Sequence, residues 1–326
     1  MMDRESFIEK HSAMLMERLE KIVGGSGHER TYGFEYEFLA KEPPTPGCVE
    51  KMRGCLGSLG FTPDGKGLVN SRGMFVTFEP GGQIEYHSPP LRPSQGDELS
   101  ATLDEIARVN SAIEKECGIS YLAVPYIPGR GDSQLCLEEE RYLKLHRRLG
   151  EAGTRGHEMM KGTASVHLHA LITDITEIPS LFATMRRLSR NPVFCMGPDR
   201  RDIWDNTDPA RCGMPYLVPD EKTTPFEIIS DLARVAADAV VLGRDVPCHE
   251  VKDIDFDGFL YHMTTIFTDV RLNMNAPTFE LRTPDSMPFE LFEEKWSRFI
   301  AEIENMTEPG NNIRTEHQRR IQNETG

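Results

Sequence analysis

Acidic residues and histidines occur at alternate positions in four short segments of this sequence, 32–38, 74–87, 166–170 and 278–282. Alternation with a period of two is typical of a β-strand that has one apolar and one polar face. On their polar sides these segments carry Glu35, Glu37, Glu79, Glu85, His167, His169 and Glu280. Converging carboxylates repel one another and require a cation, and oxygen ligands with one imidazole suit Mg²⁺ or Mn²⁺. Because such ions also bind phosphates, the pattern predicts a nucleotide triphosphate as a ligand.

For any one of these strands the ordinary explanation is a solvated face of an antiparallel sheet. A solvated face usually mixes lysine, threonine, serine and glutamate. The polar positions of the four segments contain no lysine. Taken together, they therefore favour a metal site.

A second group of residues is basic. Arg200 and Arg201 precede Trp204, Arg211 follows in a loop rich in aspartate and proline, and Arg271 comes later. Arginine beside a tryptophan in such a loop can clamp a carboxylate or phosphate with two hydrogen bonds. Lone arginines are also often surface ion pairs of little energetic value. The composition of the loop leaves both interpretations open.

The chain has 326 residues and a formal net charge of −15, which argues against a nucleic-acid or anionic membrane surface. A nucleotide should therefore arrive with divalent cations. No segment has the apolar length of a signal peptide or a membrane span. The seven cysteines form no C-x-x-C pair, which predicts reduced thiols and a cytoplasmic protein.

Helical periodicity is found at about 4–23, 97–117, 177–190, 225–242 and 288–305. Residues 24–27 lack the phosphate-loop pattern and precede a strand, so they are interpreted as the turn that ends the first helix. Strands with one polar face, separated by helices, predict an α+β fold with a mainly antiparallel, curved sheet and flanking helices. We see no linker, so residues 1–326 are expected to form a single catalytic domain.

Six segments, in this order, resemble the plant-type branch of the glutamate-cysteine ligases. These are carboxylate-amine ligases with a glutamine synthetase-like catalytic fold. The segments that carry the resemblance are 33–37, 78–85, 159–169, 191–214, 264–271 and 279–282. The stretches Glu79 to Glu85 and Ile203 to Met214 are its most specific parts, and the likeness spans about residues 31–288.

The resemblance implies an ATP- and Mg²⁺-dependent enzyme that phosphorylates a carboxylate and lets an amine displace the phosphate. Its implied metal ligands are Glu35, Glu37, Glu79, Glu85, His167 and Glu280. Arg282 and His169 are assigned to the nucleotide, and Arg271 and Arg282 to catalysis. The implied substrate-binding residues are Arg200, Lys161, Gln83 and Arg211. The expected partners are a small-molecule acid and an amine, without nucleic acid or membrane.

Three departures from the plant-type pattern bear on the substrate. Histidines stand at 167 and 169, as in glutamine synthetases, where the plant-type ligases have Gln and Asn. The position of an arginine that recognises glutamate is Gly162, and the neighbouring Lys161 is the candidate replacement. The part of the chain after about residue 288 is shorter than in the family. Glutamate and cysteine therefore remain one substrate pair among others, and a phosphotransferase or a non-catalytic binding homologue on the same fold are the alternative functions.

Overall fold

The computed structural model describes residues 3–23, 29–94 and 96–306. Helices α1 to α10 span Arg4–Val23, Pro46–Ser58, Gly96–Cys117, Glu140–Ala152, Gly156–Gly162, Ile178–Leu188, Pro198–Asp205, Pro225–Asp238, Phe256–Met263 and Phe289–Glu304. Strands β1 to β11 span Tyr32–Ala40, Thr62–Asp64, Gly67–Val69, Phe75–Phe78, Ile84–His87, Tyr121–Leu122, Val166–Leu171, Cys212–Gly213, Phe267–Thr268, Val270–Asn273 and Thr278–Leu281.

The predicted helices are confirmed as α1, α3, α6, α8 and α10. Helix α8 ends at Asp238 instead of continuing to residue 242, because Ala239 is extended and Val240 bridges Pro247. The turn predicted at residues 24–27 lies outside the described residues. Helices α2, α4, α5, α7 and α9 were not predicted. None of the described helices is long and apolar enough to cross a membrane.

One antiparallel sheet dominates the structure, and the predicted α+β class is confirmed. Its strand order is β10-β11-β7-β1-β5-β4-β3-β2, and β6 pairs with the end of β1. The alternating segments occupy its centre as β1, β4, β5, β7 and β11. A separate parallel pair joins β8 to β9.

The register of the sheet brings the alternating polar residues into contact. Glu35 on β1 lies opposite His167 on β7 and His87 on β5. Glu37 lies opposite Glu85, and Glu280 lies opposite His169. In an antiparallel pair, directly opposed residues point to the same face. One face of the sheet therefore carries the acids and imidazoles together.

The other face is apolar and is covered by α10. Phe34 on β1 meets Phe292 at 4.9 Å and Trp296 at 5.5 Å between ring centroids, and Tyr36 meets Phe292 at 5.0 Å. Burying a large apolar side chain stabilises a fold by about 1.5–3 kcal/mol. This packing fixes the register, since a slip by one residue would turn the rings into the polar face. The main core draws on residues from Phe7 to Ile303. The single-domain assignment for residues 1–326 stays a prediction.

Two glycines let the loop between β4 and β5 return Glu79 to the polar face. Glu79 N donates to Gln83 O, and Gly82 N donates to Glu79 O, which closes a tight turn. Gly82 has a φ of 81°, and a Cβ there would lie 2.2 Å from Pro44 Cγ. A Cβ on Gly81 would lie 2.6 Å from the backbone of Lys161. A side chain at position 81 would push the turn away from α5, one at position 82 would collide with Pro44, and either would displace Glu79.

Candidate active site

Five carboxylates and three imidazoles gather on the polar face of the sheet, and we call this set the acidic face. Its members are Glu35, Glu37, Glu79, Glu85, Glu280, His87, His167 and His169. Each is placed by the alternation of a strand, except Glu79, which the loop after β4 supplies.

Glu35 is at the centre of the acidic face. Its Oε2 lies 2.6 Å from His167 Nδ1, and its Oε1 lies 3.5 Å from both His87 Nδ1 and His169 Nε2. His167 Nδ1 is also 3.3 Å from Glu280 Oε1. The imidazoles thus lie between carboxylates of neighbouring strands.

Glu37 and Glu85 form the second half of the acidic face. Glu37 Oε2 accepts hydrogen bonds from Ser165 N at 2.7 Å and Ser165 Oγ at 2.9 Å. Glu85 Oε1 lies 2.7 Å from His87 Nε2 and accepts from Thr77 Oγ1 at 3.1 Å. These contacts hold both carboxylates in place while leaving oxygen atoms available to a ligand.

Three groups of residues on the acidic face can each converge on a cation. They are Glu35 with His167 and Glu280, Glu35 with Glu85 and His87, and Glu37 with Glu85 and His167. Within each group the ligand atoms lie within 4.8 Å of one another. Carboxylate oxygens with one imidazole fit hard divalent cations such as Mg²⁺ and Mn²⁺. The donor set therefore fits the predicted metals.

The charges of the acidic face are unequally compensated. Burial raises the pKa of Glu79 well above its ordinary value, and repulsion from Glu85 and Glu37 adds to the rise. Burial also raises the pKa of Glu37, despite the opposing effect of His167. Burial works against ionisation of Glu35 as well, but His169 and His167 outweigh it and lower the pKa of that carboxyl. Glu37 and Glu79 are therefore the carboxylates that most need an external cation.

Glu280 is compensated by two arginines instead. Arg271 Nη2 lies 2.7 Å from Glu280 Oε2, and Arg282 Nη1 pairs with Glu280 Oε1. Although burial opposes it, Arg271 and Arg282 lower the pKa of Glu280 to about 2. Both arginines are thus held at the edge of the acidic face, where positive charge would meet an anionic ligand.

A cavity lies at each end of the acidic face. The larger, about 240 Å³, is next to Glu35, His87 and His169. The smaller, about 90 Å³, is next to Glu37, Glu79 and Arg282. Two separate compartments meeting at one set of carboxylates suit a reaction between two bound molecules.

The sequence was compared with known proteins. Residues 31–191 match the family Glutamate-cysteine ligase family 2 (GCS2). Over this region, which is just under half of the chain, the sequence is similar to this family. No curated protein matches it. The similarity indicates a ligase of the glutamate-cysteine ligase type in general terms.

The matched region of glutamate-cysteine ligase family 2 covers β1 to β7 and therefore most of the acidic face. Glu280, Arg271 and Arg282 lie beyond residue 191, on strands that extend the same sheet. The sheet thus joins the family region to the later arginines.

Arg200, which the sequence assigns to substrate, lies inside the fold and is 1% exposed. Its Nη1 donates to Asp285 Oδ1 at 2.7 Å and to Pro284 O at 3.1 Å, and its Nη2 donates to Arg282 O at 3.1 Å. Arg200 therefore clamps the backbone that carries Arg282. Its substrate role stays a prediction, and these contacts describe a positioning residue.

Arg211 is also buried and points away from the acidic face. It donates to Asp208 Oδ2 at 3.1 Å and to Thr265 Oγ1 at 2.6 Å, and its Nη2 donates to Val240 O. These bonds tie three loops together. The structure does not bring Arg211 together with the predicted metal ligands, and its predicted substrate role has no further support.

Gln83 and Lys161 lie on either side of the Gly81 turn. Gln83 lines the smaller cavity, and its Nε2 donates to Thr163 O at 3.1 Å. Lys161 is 3% exposed and its Nζ donates to Ser133 O at 2.7 Å. Gln83 therefore remains next to the acidic face, whereas Lys161 does not line the cavity.

His87 is the member of the acidic face to which the sequence assigned no role. Burial disfavours its charged form, but Glu85 and Glu35 outweigh this and raise the pKa of His87 well above its ordinary value. The sequence did contain a signal for His87, because this residue alternates with Glu85 in the same segment. The pairing of β5 with β1, which sets His87 opposite Glu35, could not be read from the sequence.

Proposed function

We propose that this protein is an ATP- and Mg²⁺-dependent carboxylate-amine ligase that works through an acyl phosphate. The proposal is supported chiefly by the three groups of carboxylates and imidazoles that can converge on a cation, beside a cavity that Glu37 and Glu79 line. The similarity of residues 31–191 to a ligase family gives the reaction class. A small-molecule acid and an amine are the proposed substrates, and the reduced-thiol pattern of the sequence supports a cytoplasmic location.

In this proposal the three convergent groups of the acidic face hold the divalent cations. The cations, when bound, neutralise phosphate charge during phosphoryl transfer. Glu79 would complete the ligand set from the loop after β4. His87 would act together with Glu85, since the two side chains are 2.7 Å apart.

The proposed reaction has two steps. A carboxylate oxygen of the acid attacks the γ-phosphorus of ATP, and the bond to the β-phosphate oxygen breaks to release ADP. The amine nitrogen then attacks the acyl carbon, phosphate leaves with the bonding electrons, and the amine loses a proton to solvent. Activation is needed because a carboxylate is a poor electrophile until it carries a leaving group. Arg271 and Arg282, held by Glu280, would stabilise the negative charge of the transferred group.

We assign the nucleotide to the larger cavity next to His169. It has more than twice the volume of the smaller one, and His169 lines it. The smaller cavity, which Arg282 lines, would then receive the acid.

The proposal is tested by ADP release from the purified protein with ATP and Mg²⁺. Acids including glutamate and aspartate are crossed with amines including cysteine, and hydroxylamine serves as a generic trap. Release that requires both an acid and an amine supports a ligase. A stable phosphorylated product that forms without an amine would indicate a phosphotransferase. ATP that binds without any release across the grid would indicate a non-catalytic homologue.

A further inference from the structure

The smaller cavity has an apolar wall that the proposed reaction does not explain. Its volume is about 90 Å³, so the side group that it holds must be small. The wall consists of Leu145, Leu149, Met159, Met160, Trp204 and Phe267. Most of these side chains belong to a separate apolar cluster built by α4, α5 and α7. A wall of this kind favours an uncharged group.

Positive charge is scarce around this cavity. Arg282 is the one basic residue among the described residues that line it, and its Nη1 already pairs with Glu280. A second carboxylate on the substrate would be desolvated against the apolar wall. The reacting carboxylate would already occupy Arg282, so a second one would face Glu37 and Glu79 without another basic residue among the described residues that line the cavity.

The neighbouring basic side chains are directed elsewhere. Lys161 Nζ donates to Ser133 O, and Arg130 Nη2 donates to Ala40 O at 2.9 Å. A Cβ on Gly162 would lie 2.9 Å from Arg130 Cβ, so a side chain at this position would collide with Arg130. Neither Lys161 nor residue 162 can therefore offer the cation that a dicarboxylic substrate would need.

Gln83 indicates which polar group the ligand of the smaller cavity should carry. Its side chain is 4% exposed, and its Nε2 donates to Met160 O and Thr163 O. This fixes the orientation of the amide, because the reverse orientation would set three oxygens against one another. Its Oε1 has no hydrogen-bond partner among the described residues. An N–H group on the ligand would satisfy this buried acceptor.

We infer that the acid substrate is a monocarboxylic acid with a small apolar side group and an N–H donor, the pattern of an apolar α-amino acid. Its carboxylate would lie next to Glu37, Glu79 and Arg282, and its side group would pack against Leu145 and Met159. The inference rests on the proposed function, because the cavity adjoins the reacting carboxylate only if the acidic face binds the phosphates.

The test compares acids at fixed ATP, Mg²⁺ and hydroxylamine and measures hydroxamate and ADP. Leucine, methionine and valine are set against glutamate and aspartate. We expect kcat/KM for the best apolar acid to exceed that for glutamate by at least about tenfold, the scale on which pocket contacts discriminate. If glutamate is the better substrate while turnover is robust, the inference is wrong and the proposed ligase stands.

Variants on α4 test whether the apolar wall of the smaller cavity determines the preference for the acid. Leu145→Arg adds a cation to the wall and should shift the preference toward glutamate by at least about tenfold. Leu143→Arg is the matched control, since Leu143 is 48% exposed and lies two residues away on the same helix. Met159→Lys repeats the test from α5 if Leu145→Arg does not fold, as judged by circular dichroism. An unchanged preference in a folded variant contradicts the inference.

A measurement of acid binding can test the inference independently of the proposed ligase activity. Calorimetry with the full chain, Mg²⁺ and a non-hydrolysable ATP analogue reports acid binding without turnover. If no acid releases ADP but apolar amino acids bind and Leu145→Arg abolishes that binding, the ligase proposal fails and the inference stands. If glutamate binds and apolar amino acids do not, or if no acid binds, the inference is overturned.

Discussion

The acidic face and the arginines around α7 differ in what compensates their charge. Burial and repulsion from neighbouring carboxylates keep the pKa values of Glu37 and Glu79 raised, and they outweigh the attraction of His167 for Glu37 and of Arg141 for Glu79. Arg200 and Arg211, by contrast, donate to carboxylates and backbone oxygens of their own chain. A bound cation would therefore stabilise the first region, whereas the guanidinium groups of the second already bind to groups of their own chain. Charged residues in a motif indicate a binding site only where the fold leaves them uncompensated.

Among the variants that test this difference, Glu35→Gln is expected to have the largest effect on activity. Glu35 belongs to two of the three groups that can converge on a cation, and glutamine keeps its shape but not its charge. We expect ADP release to fall at least about 100-fold, since bound metal contributes several kcal/mol to such reactions. The measurement is steady-state ADP release at saturating Mg²⁺ and ATP.

Glu290→Gln is the matched control for this variant. Glu290 is exposed on α10, which covers the opposite face of the sheet, so its loss removes the same charge without touching the acidic face. Turnover by a folded Glu35→Gln protein at the level of this control would contradict the metal assignment.

The two buried arginines can be separated by lysine substitutions. Arg200→Lys and Arg211→Lys each break a buried network, which costs about 3 kcal/mol of unfolding free energy. Because Arg200 Nη2 donates to Arg282 O, we also expect Arg200→Lys to lower kcat of the folded protein about tenfold. Arg211→Lys should leave kcat within about twofold of the wild type. Urea unfolding and kcat per folded molecule measure the two effects.

An equal fall of kcat in both variants would contradict the specific positioning role of Arg200. A rise of KM for the acid with unchanged kcat in Arg211→Lys would instead return Arg211 to the substrate site that the sequence predicted.

The strands were predictable because alternation records which side of a sheet each residue occupies. In a strand, the aromatic residues of β1 and the glutamates between them must lie on opposite faces. The structure confirms this arrangement. The five predicted helices were found for the same reason, through their apolar period. Side-chain placement within these elements follows from local geometry alone.

The loops and short helices were less accessible to sequence reasoning. Whether Arg200 faces a ligand or its own chain depends on the path of residues 282–285, which are far away in sequence. The same holds for Lys161, which reaches Ser133 through the packing of α5. Short helices α4 and α5 were not predicted, so the apolar wall of the smaller cavity could not be foreseen. Long-range packing decides these positions.

The region around Arg211 should also limit stability at acid pH. His262 is 3% exposed and its Nε2 donates to Ala236 O, while burial and Arg211 lower its pKa to about 4. As the pH falls from 6.5 to 4, the unfolded imidazole binds a proton that the folded one does not. The free energy of unfolding should therefore fall by about 2 kcal/mol across this window.

His262→Gln should reduce this loss, measured by urea unfolding at pH 6.5 and pH 4. His249→Gln is the matched control, because His249 Nδ1 donates to Ala237 O on the same helix α8 from a partly exposed position. Equal pH dependence in the wild type and His262→Gln would mean that other groups control acid unfolding.

The smallest expected effect is that of Glu79→Gln on stability, and it measures the uncompensated charge of the acidic face most directly. Glu79→Gln removes one of the repelling carboxylates, so without divalent cations at pH 8 it should raise the free energy of unfolding by about 1 kcal/mol. Saturating Mg²⁺ should reverse the order, because the wild type gains binding energy through a ligand that the variant lacks. Thermal unfolding with and without Mg²⁺, at constant ionic strength, measures both states. A variant that is more stable than the wild type in both conditions would show that Glu79 repels its neighbours without binding the cation.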